Sequence, residues 1–269
     1  MTEVKFKSLS SGSCGNCYFL GIFGDGRHCE AGILIDAGVS PRRFTRDMQA
    51  DGITLDDIGA ILLTHDHMDH LRSIGSYGKR AGADIWATAT LHAALACQPV
   101  TRNWIAGRAR PLSPDGWTPL PGGRIQVHWF EVPHDATQTV GYAIQLDGCR
   151  FVLITDCGRM TPEALHWASL ADTVVIESNY DPQMLRTGPY PPELQDRIRQ
   201  GHGHLSNPEC AEAIAAFRHP GLRNVFLCHL SEHNNTPQLA MEAIRRQLDD
   251  IDFRLAPLPR QTATPLMTL

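Results

Sequence analysis

The sequence predicts an α+β fold in which two sheets pack together with helices outside, as one domain over residues 1–269. Three observations lead there. Strand-like stretches come first in a run and then alternate with helical ones. No linker, internal repeat or low-complexity segment divides the chain. With 269 residues, 42% hydrophobic and 20% charged, it can bury a full core.

Residues 4–9 alternate as a strand, and Ser10-Ser11-Gly12-Ser13-Cys14-Gly15-Asn16 is a tight Gly/Ser-rich turn. Residues 17–23 and 31–36 are strands joined through the polar Gly24-Asp25-Gly26. Ser40-Pro41 pairs an N-cap with a proline at the first helical position, so a helix runs to about residue 50. Gly59-Ala60-Ile61-Leu62-Leu63-Thr64 is an apolar run that reads as a buried strand. A helix over 71–81, a strand over 84–87 and a helix over 90–97 follow. Residues 98–123 hold five prolines and read mostly as loop and turn. Strands over 125–132 and 140–146 flank Pro133-His134-Asp135. A strand over 151–155, a helix from Pro162 and a strand over 173–176 come next. Two or three helices fill 181–217, one of them started by Ser206-Asn207-Pro208-Glu209. A strand over 225–228, a helix over 237–248 and a strand over 253–255 close the chain.

The apolar runs reach only about six residues, too short for a transmembrane helix. Met1-Thr2-Glu3-Val4-Lys5-Phe6 lacks the apolar stretch of a signal peptide, which favours the cytoplasm. A net charge of −5 excludes a protein that coats nucleic acid over its whole surface. A polyanion would bind at a local patch or at a metal. Cys14-Gly15-Asn16-Cys17 is a C-x-x-C with no second pair to complete a zinc site, so the eight cysteines read as reduced structural thiols.

The chemistry centres on His65-Asp66-His67-Met68-Asp69-His70, directly after the apolar strand. Four ligand-type side chains held this close against a core would repel and desolvate one another without a cation. Imidazole and carboxylate suit zinc, manganese or iron, and no thiolate is needed. A merely solvated His-rich loop fits less well, because the strand holds the segment against the core. His134, Asp156 and His229 each follow a predicted strand, and strand ends can converge side chains on one point. Singly, each could be a surface or capping residue. With the hexapeptide they make five histidines and two aspartates, enough for two divalent metal ions in a shared cage.

H-x-H-x-D-H followed by a lone His, a lone Asp and a last His resembles the metallo-β-lactamase-fold signature. That resemblance implies a four-layer αββα sandwich. It implies one metal on His65, His67 and His134, a second on Asp69, His70 and His229, and Asp156 bridging. In the lactamases themselves a cysteine replaces the aspartate ligand. Here Cys157 comes one residue later, which argues against a β-lactam substrate. The segments Leu34-Ile35-Asp36-Ala37-Gly38, Val132-Pro133-His134-Asp135-Ala136, Glu177-Ser178-Asn179, Gly188-Pro189-Tyr190-Pro191, Gly203-His204-Leu205-Ser206-Asn207 and His229-Leu230-Ser231-Glu232-His233-Asn234-Asn235, with the 10–16 turn, resemble the YycJ/WalJ-like branch. That branch is associated with exonuclease action on DNA. The chain departs from it at Cys14, where Ser is expected, and at His233, where Asn is expected.

Two divalent cations, less two carboxylates and a bridging hydroxide, leave the site net positive, which suits an anionic phosphodiester. Two such metals supply a nucleophilic hydroxide and steady the attacked phosphate. Asp69 therefore counts as catalytic as well as a ligand. The leaving alkoxide needs a proton, and His204 is the candidate, oriented by Glu177. This resembles the glutamate–histidine pair of tRNA-maturing nucleases of the same fold. The alternative is that His204 only hydrogen-bonds near a helix N-terminus; His202 and His233 are weaker candidates. Substrate contacts are expected from Ser11, Ser13 and Asn16, whose turn can offer backbone N–H groups to an anion, the alternative being only a Gly-rich hairpin bend. Asn179 is expected there too, as is Arg102, on a 99–111 loop whose Arg102, Trp104, Arg108 and Arg110 suit backbone contact and base stacking.

The function this predicts is a dimetal phosphodiesterase, a DNA exonuclease, with DNA favoured over RNA and no membrane partner. A carboxylic ester, thioester or lactone hydrolase on the same core is the competing enzyme class. A non-catalytic, metal-stabilised regulatory protein is the competing binding class, and the complete ligand set argues against it.

Overall fold

Antiparallel hairpins open each half of the chain, and parallel strands linked by helices close it. The first half contains β1 (Glu3–Ser10), β2 (Cys17–Phe23), β3 (Cys29–Ile35), α1 (Pro41–Met48), β4 (Ile58–Leu62), α2 (Met68–Leu71), α3 (Ile74–Arg80), β5 (Asp84–Ala87), α4 (Ala89–Cys97), α5 (Arg102–Ile105) and β6 (Ala109–Pro111). The second contains β7 (Thr118–Pro119), β8 (Ile125–Glu131), β9 (Val140–Leu146), β10 (Cys149–Ile154), α6 (Pro162–Ala168), β11 (Thr173–Glu177), α7 (Pro182–Thr187), α8 (Pro192–Arg199), α9 (Asn207–Phe217), β12 (Asn224–Cys228), α10 (Pro237–Gln247), β13 (Arg254–Pro257) and β14 (Met267–Thr268). This computed structural model describes residues 2–25, 28–99 and 101–269; Gly26 of the second strand joint and Val100 of the 98–123 stretch lie outside the described residues.

One sheet has the order β14-β1-β2-β3-β4-β5-β6 and the other β13-β12-β11-β10-β9-β8-β7. In the first, β1 to β3 are antiparallel and β3 to β6 parallel. In the second, β7 to β10 are antiparallel and β10 to β13 parallel. Parallel neighbours need a crossover, and each gap between them is bridged by one or more helices. Asp147-Gly148 turns the hairpin between β9 and β10 with both residues at positive φ, as a tight two-residue turn requires.

The two-residue period of each strand sorts the core into layers. Phe151 and Leu153 of β10 face the other sheet, with Phe6, Tyr18 and Leu20. Val152 and Ile154 face the helices, with Ala164, Ile214 and Ile244. Phe19, Leu34 and Ile61 pack outward under Phe44, Ile74 and Leu91. The result is helix, sheet, sheet, helix, the expected αββα order. Phe6 ties the sheets together, its ring centroid 5.4 Å from both Phe151 and Phe226.

Three expectations change. The helix over 71–81 breaks into α2 and α3, and α2 begins earlier, at Met68. The 98–123 stretch carries α5 and the short edge strands β6 and β7. Two- and three-residue strands are too short to show a period. β14 was not expected at all; it pairs with β1 through Phe6 and Met267. All eight cysteines are free, with Cys14 exposed and Cys17 buried. Among the described residues no helix is long and apolar enough to cross a membrane.

Candidate metal centre

The site sits at the carboxyl ends of the parallel strands, where open sheets place their ligands. Asp36 follows β3, His65 follows β4, Asp156 follows β10, Glu177 ends β11 and His229 follows β12. Asp36, Asp156 and His229 have φ of 62°, 51° and 53°, a left-handed conformation unusual outside glycine. Strain of this kind persists where surrounding structure demands a particular side-chain direction. His134 comes from the loop between β8 and β9. At this end the sheets are joined directly, by the Val140 N–H donating to the Thr64 carbonyl at 3.0 Å.

Each of the five histidines has one ring nitrogen occupied and the other turned inward. His65 Nδ1 lies 3.0 Å from Thr64 Oγ1. His67 Nε2 donates to the Asp135 carbonyl at 3.2 Å, and His134 Nδ1 donates to the Gly203 carbonyl at 2.7 Å. His70 Nδ1 donates to Asp36 Oδ2 at 2.7 Å, and His229 Nδ1 to Glu177 Oε1 at 2.9 Å. Such outer contacts fix the tautomer and ring plane of a metal-binding histidine.

Four overlapping groups of ligand-type side chains converge here; two are the expected ones, His65 with His67 and His134, and Asp69 with His70 and His229, and the others are His65 with His70 and Asp156, and Asp156 with Glu177, His204 and His229. Asp156 lies between the two expected groups. Its Oδ2 is 3.2 Å from His70 Nε2, and its Oδ1 is 3.7 Å from His134 Nε2 and 3.5 Å from His229 Nδ1. His65 Nε2 and His229 Nε2 are buried and have no hydrogen-bond partner. A buried polar atom left unpaired costs about 1–3 kcal/mol. A cation at each expected group would engage both, so the donor set fits divalent metal ions.

Charge divides the ligands. Burial pushes the His65 and His134 imidazoles below their usual range, leaving them neutral. Burial also opposes charge on His70, but Asp156 and Asp36 outweigh it and raise its pKa to about 10. Asp156, Asp69 and Glu177 likewise overcome burial at His229 and raise it well above the ordinary value.

Glu177 is fully buried and serves two rings. Its Oε1 accepts from His204 Nδ1 at 2.8 Å as well as from His229 Nδ1. Its Oε2 accepts from the Cys157 and Leu205 N–H groups at 2.8 and 3.3 Å. The structure therefore brings His204 and Glu177 together beside the ligands. Sequence reasoning missed the link from Glu177 to His229, and the role of Asp36 behind His70. Cys157 points away, its Sγ donating to the Arg159 carbonyl at 2.9 Å.

The expected substrate residues fare differently. Ser13 is exposed on the cleft wall, and Asn179 lines the cleft while donating to the His229 carbonyl at 2.8 Å. Ser11 and Asn16 are fully buried. Ser11 Oγ accepts from the His229 N–H at 2.9 Å, and the Asn16 amide lies 3.1 Å from Asp69 Oδ2 and 2.8 Å from His70 Nε2. Both contact candidate ligands, and neither is among the residues lining the cleft. Four N–H groups of the 10–16 turn are already engaged within the fold. The Ser11, Gly12, Gly15 and Asn16 N–H groups donate to Arg260, Asn16 Oδ1, Gly12 and Asp69. Gly38 lets this turn lie against the metal motif, since a Cβ there would sit 1.8 Å from the Asp69 carbonyl oxygen.

Arg102 is exposed on α5 and is not among the residues lining the cleft. Its loop companions are occupied elsewhere. Arg108 Nη1 donates to the Ala83 carbonyl, Arg110 pairs with Asp84, and Trp104 lies under Lys79 with its ring centroid 4.0 Å from Nζ. His202 lies outside the metal cleft, in a neighbouring groove with Arg159, and His233 packs edge-on to Tyr190.

A protein-family model described as the Beta-lactamase superfamily domain matches residues 32–230. The chain is 31% identical over 274 residues to exodeoxyribonuclease WalJ of Streptococcus pneumoniae, covering 99% of each protein. It is 28% identical over 256 residues to exodeoxyribonuclease YycJ of Bacillus anthracis, covering 93% of this chain and 91% of that one. Among solved structures, the metallo-β-lactamase fold protein YhfI of Bacillus subtilis matches with a TM-score of 0.67 at 14% identity. That match covers 97% of this chain and 99% of YhfI, and it is a likeness of fold.

Proposed function

The chain belongs to the β-lactamase superfamily, and from that premise we propose that it is a two-metal phosphodiesterase that digests DNA from an end. It is a metal-dependent hydrolase of the nuclease kind. What carries the finer reading is the shared carboxylate of Glu177, which couples a metal-binding histidine to a second imidazole on the cleft wall. The similarity to two exodeoxyribonucleases over nearly the whole chain supports it.

His65, His67 and His134 would hold one ion, Asp69, His70 and His229 the other, and Asp156 both; zinc, manganese and iron all suit this donor set. When bound, the ions supply a nucleophile at neutral pH and charge to stabilise the attacked phosphate. Everything else falls to the chain. Asp69 is held by Asn16 and faces the cleft beside His229, its Oδ2 3.6 Å from Nε2. Asn16, Asp36, Thr64 and Glu177 keep the ligands in register before substrate arrives. His204 has Nδ1 committed to Glu177, which leaves Nε2 to deliver a proton to the leaving alkoxide. Ser13 and Asn179 lie where the phosphate or sugar would pass.

Hydrolysis of a carboxylic ester, thioester or lactone would give the His204–Glu177 pair no comparable task, and no observation favours it. Incubating metal-loaded protein with end-labelled single- and double-stranded DNA and RNA tests the proposal. Shortening of DNA from one terminus, abolished by chelator and restored by metal, is expected. No cleavage of DNA under any metal loading would reject it.

A further inference from the structure

The metal cleft has a second wall that phosphodiester chemistry leaves unused. Tyr190, Leu194, Arg197 and Ile198, on α8 and the turn before it, line the same cleft of about 280 Å3 as His204 and His229. Leu194 and Ile198 are four residues apart, so both fall on one helix face. Tyr190 and Leu194 are partly buried against a small core of their own, made of Tyr180, Leu185 and Ile198. That core keeps an apolar face pointed at an otherwise polar site.

The wall is tied at one end to the loop that follows His229 and at the other to His204. The Asp181 N–H donates to the Asn234 carbonyl at 2.8 Å, and the His204 N–H donates to the Ile198 carbonyl at 3.1 Å. Gly203, whose carbonyl receives His134 Nδ1, lies so close that a Cβ would sit 2.2 Å from the Ile198 carbonyl oxygen. The apolar face therefore keeps a fixed position relative to His134 and His204. Arg197 is the only arginine or lysine among the described residues lining the cleft. It pairs with Asp135, but its side chain is 60% exposed. Exposed pairs of this kind contribute little, so the guanidinium can change partner at small cost.

An aromatic ring and two aliphatic side chains beside a cation and a metal centre match a nucleobase with its attached phosphate. At about 280 Å3 the cleft lies just below the usual range of small-molecule sites, roughly 300–1,000 Å3, which limits it to a ligand about the size of one nucleotide unit. We propose that Tyr190 and Leu194 form the platform on which the terminal nucleobase stacks, and that Arg197 leaves Asp135 to hold a phosphate oxygen of that nucleotide. This rests on the nuclease reading. It deepens it by making recognition of a strand end a property of α8, independent of base identity because every base offers a π-face.

The test measures kcat and KM of the metal-loaded full chain on single-stranded oligonucleotides whose digested end is either normal or abasic. Tyr190→Ala should raise KM about ten-fold on the normal end, within the range that stacking on one aromatic side chain supplies. That penalty should shrink at least five-fold on the abasic end. Tyr190→Phe, which keeps the ring, should recover most of the loss. Arg197→Gln should raise KM on both ends alike, because both carry the phosphate. If Tyr190→Ala does not fold, Leu194→Asn reports the same coupling between side chain and base. Equal penalties on normal and abasic ends, with the wild type active, would overturn the platform alone. A wild type inactive on every DNA would overturn the nuclease reading and the platform with it.

Discussion

Replacing Glu177 by glutamine removes one oxygen from a fully buried carboxylate that five donors share, the weakest being the Asn179 amide at 3.4 Å from Oε1. Two are imidazole N–H groups, from His204 and His229, at 2.8 and 2.9 Å on Oε1. Two are backbone N–H groups, from Cys157 and Leu205, at 2.8 and 3.3 Å on Oε2. Whichever way the new amide turns, its NH2 faces at least two donors. At about 1–3 kcal/mol for each buried group left unpaired, the fold should lose about 2–6 kcal/mol. Losing the carboxylate behind a metal-binding histidine typically weakens metal affinity or activity by about 10–100-fold. His204 loses its orienting partner as well, and a positioned acid is worth roughly 10²–10⁴ in rate. A chelator-buffered metal titration reads the first functional deficit, and kcat on DNA at saturating metal reads the second. Both should appear, and the second should persist when metal is saturating. Full recovery of kcat with added metal would mean that Glu177 serves His229 alone and that His204 is not the acid.

His204→Ala should keep both metals yet slow DNA hydrolysis by ~10²–10⁴, with a much smaller effect on bis-p-nitrophenyl phosphate, whose leaving group needs no proton. Equal losses on both substrates would point to phosphate binding instead. Gly38→Ala forces a Cβ to 1.8 Å from the Asp69 carbonyl oxygen and 2.5 Å from the Asn16 nitrogen, both rigid backbone atoms. Overpacking of this kind costs typically ~1–3 kcal/mol, so a lowered melting temperature with reduced metal content is expected. For pH, His70 is raised to about 10 and His229 is raised well above its ordinary value, so both hold protons through neutrality in the metal-free chain. Metal must displace those protons, so affinity should fall as pH drops and each binding event at this group should release protons. His65 and His134 are depressed and already neutral, so the group they form should show the weaker pH dependence. Calorimetry in buffers of different ionisation enthalpy measures the proton count; no proton release at neutral pH would contradict the assignment.

The candidate ligands were legible because they either fall in one contiguous run or follow a strand. His65 to His70 are contiguous, and His134, Asp156 and His229 each follow an apolar run that reads as β by length and composition. Their supports were not legible. Asp36 stands 34 residues from His70, and Ser11 stands 218 residues from His229, and nothing local announces either contact. Ser11 and Asn16 looked like substrate residues because small polar side chains in a Gly-rich turn suit either task; only their burial decides. The turn's N–H groups looked available until the fold placed Arg260 and Asp69 beside them. Tyr190 stands out in the sequence only within Gly188-Pro189-Tyr190-Pro191, and Arg197 only as one of many scattered arginines; tertiary packing alone sets them, with Leu194, opposite the metal site.

The most direct measurement is a crystal structure of the metal-loaded protein with anomalous scattering recorded at the metal edge. Two peaks are expected. One should lie within about 2.0–2.1 Å of a ring nitrogen of each of His65, His67 and His134, as zinc–imidazole bonds require. The other should contact Asp69, His70 and His229, with the Asp156 carboxylate touching both. A single peak, or two peaks that Asp156 does not join, would contradict the shared two-metal centre on which the rest of the account depends.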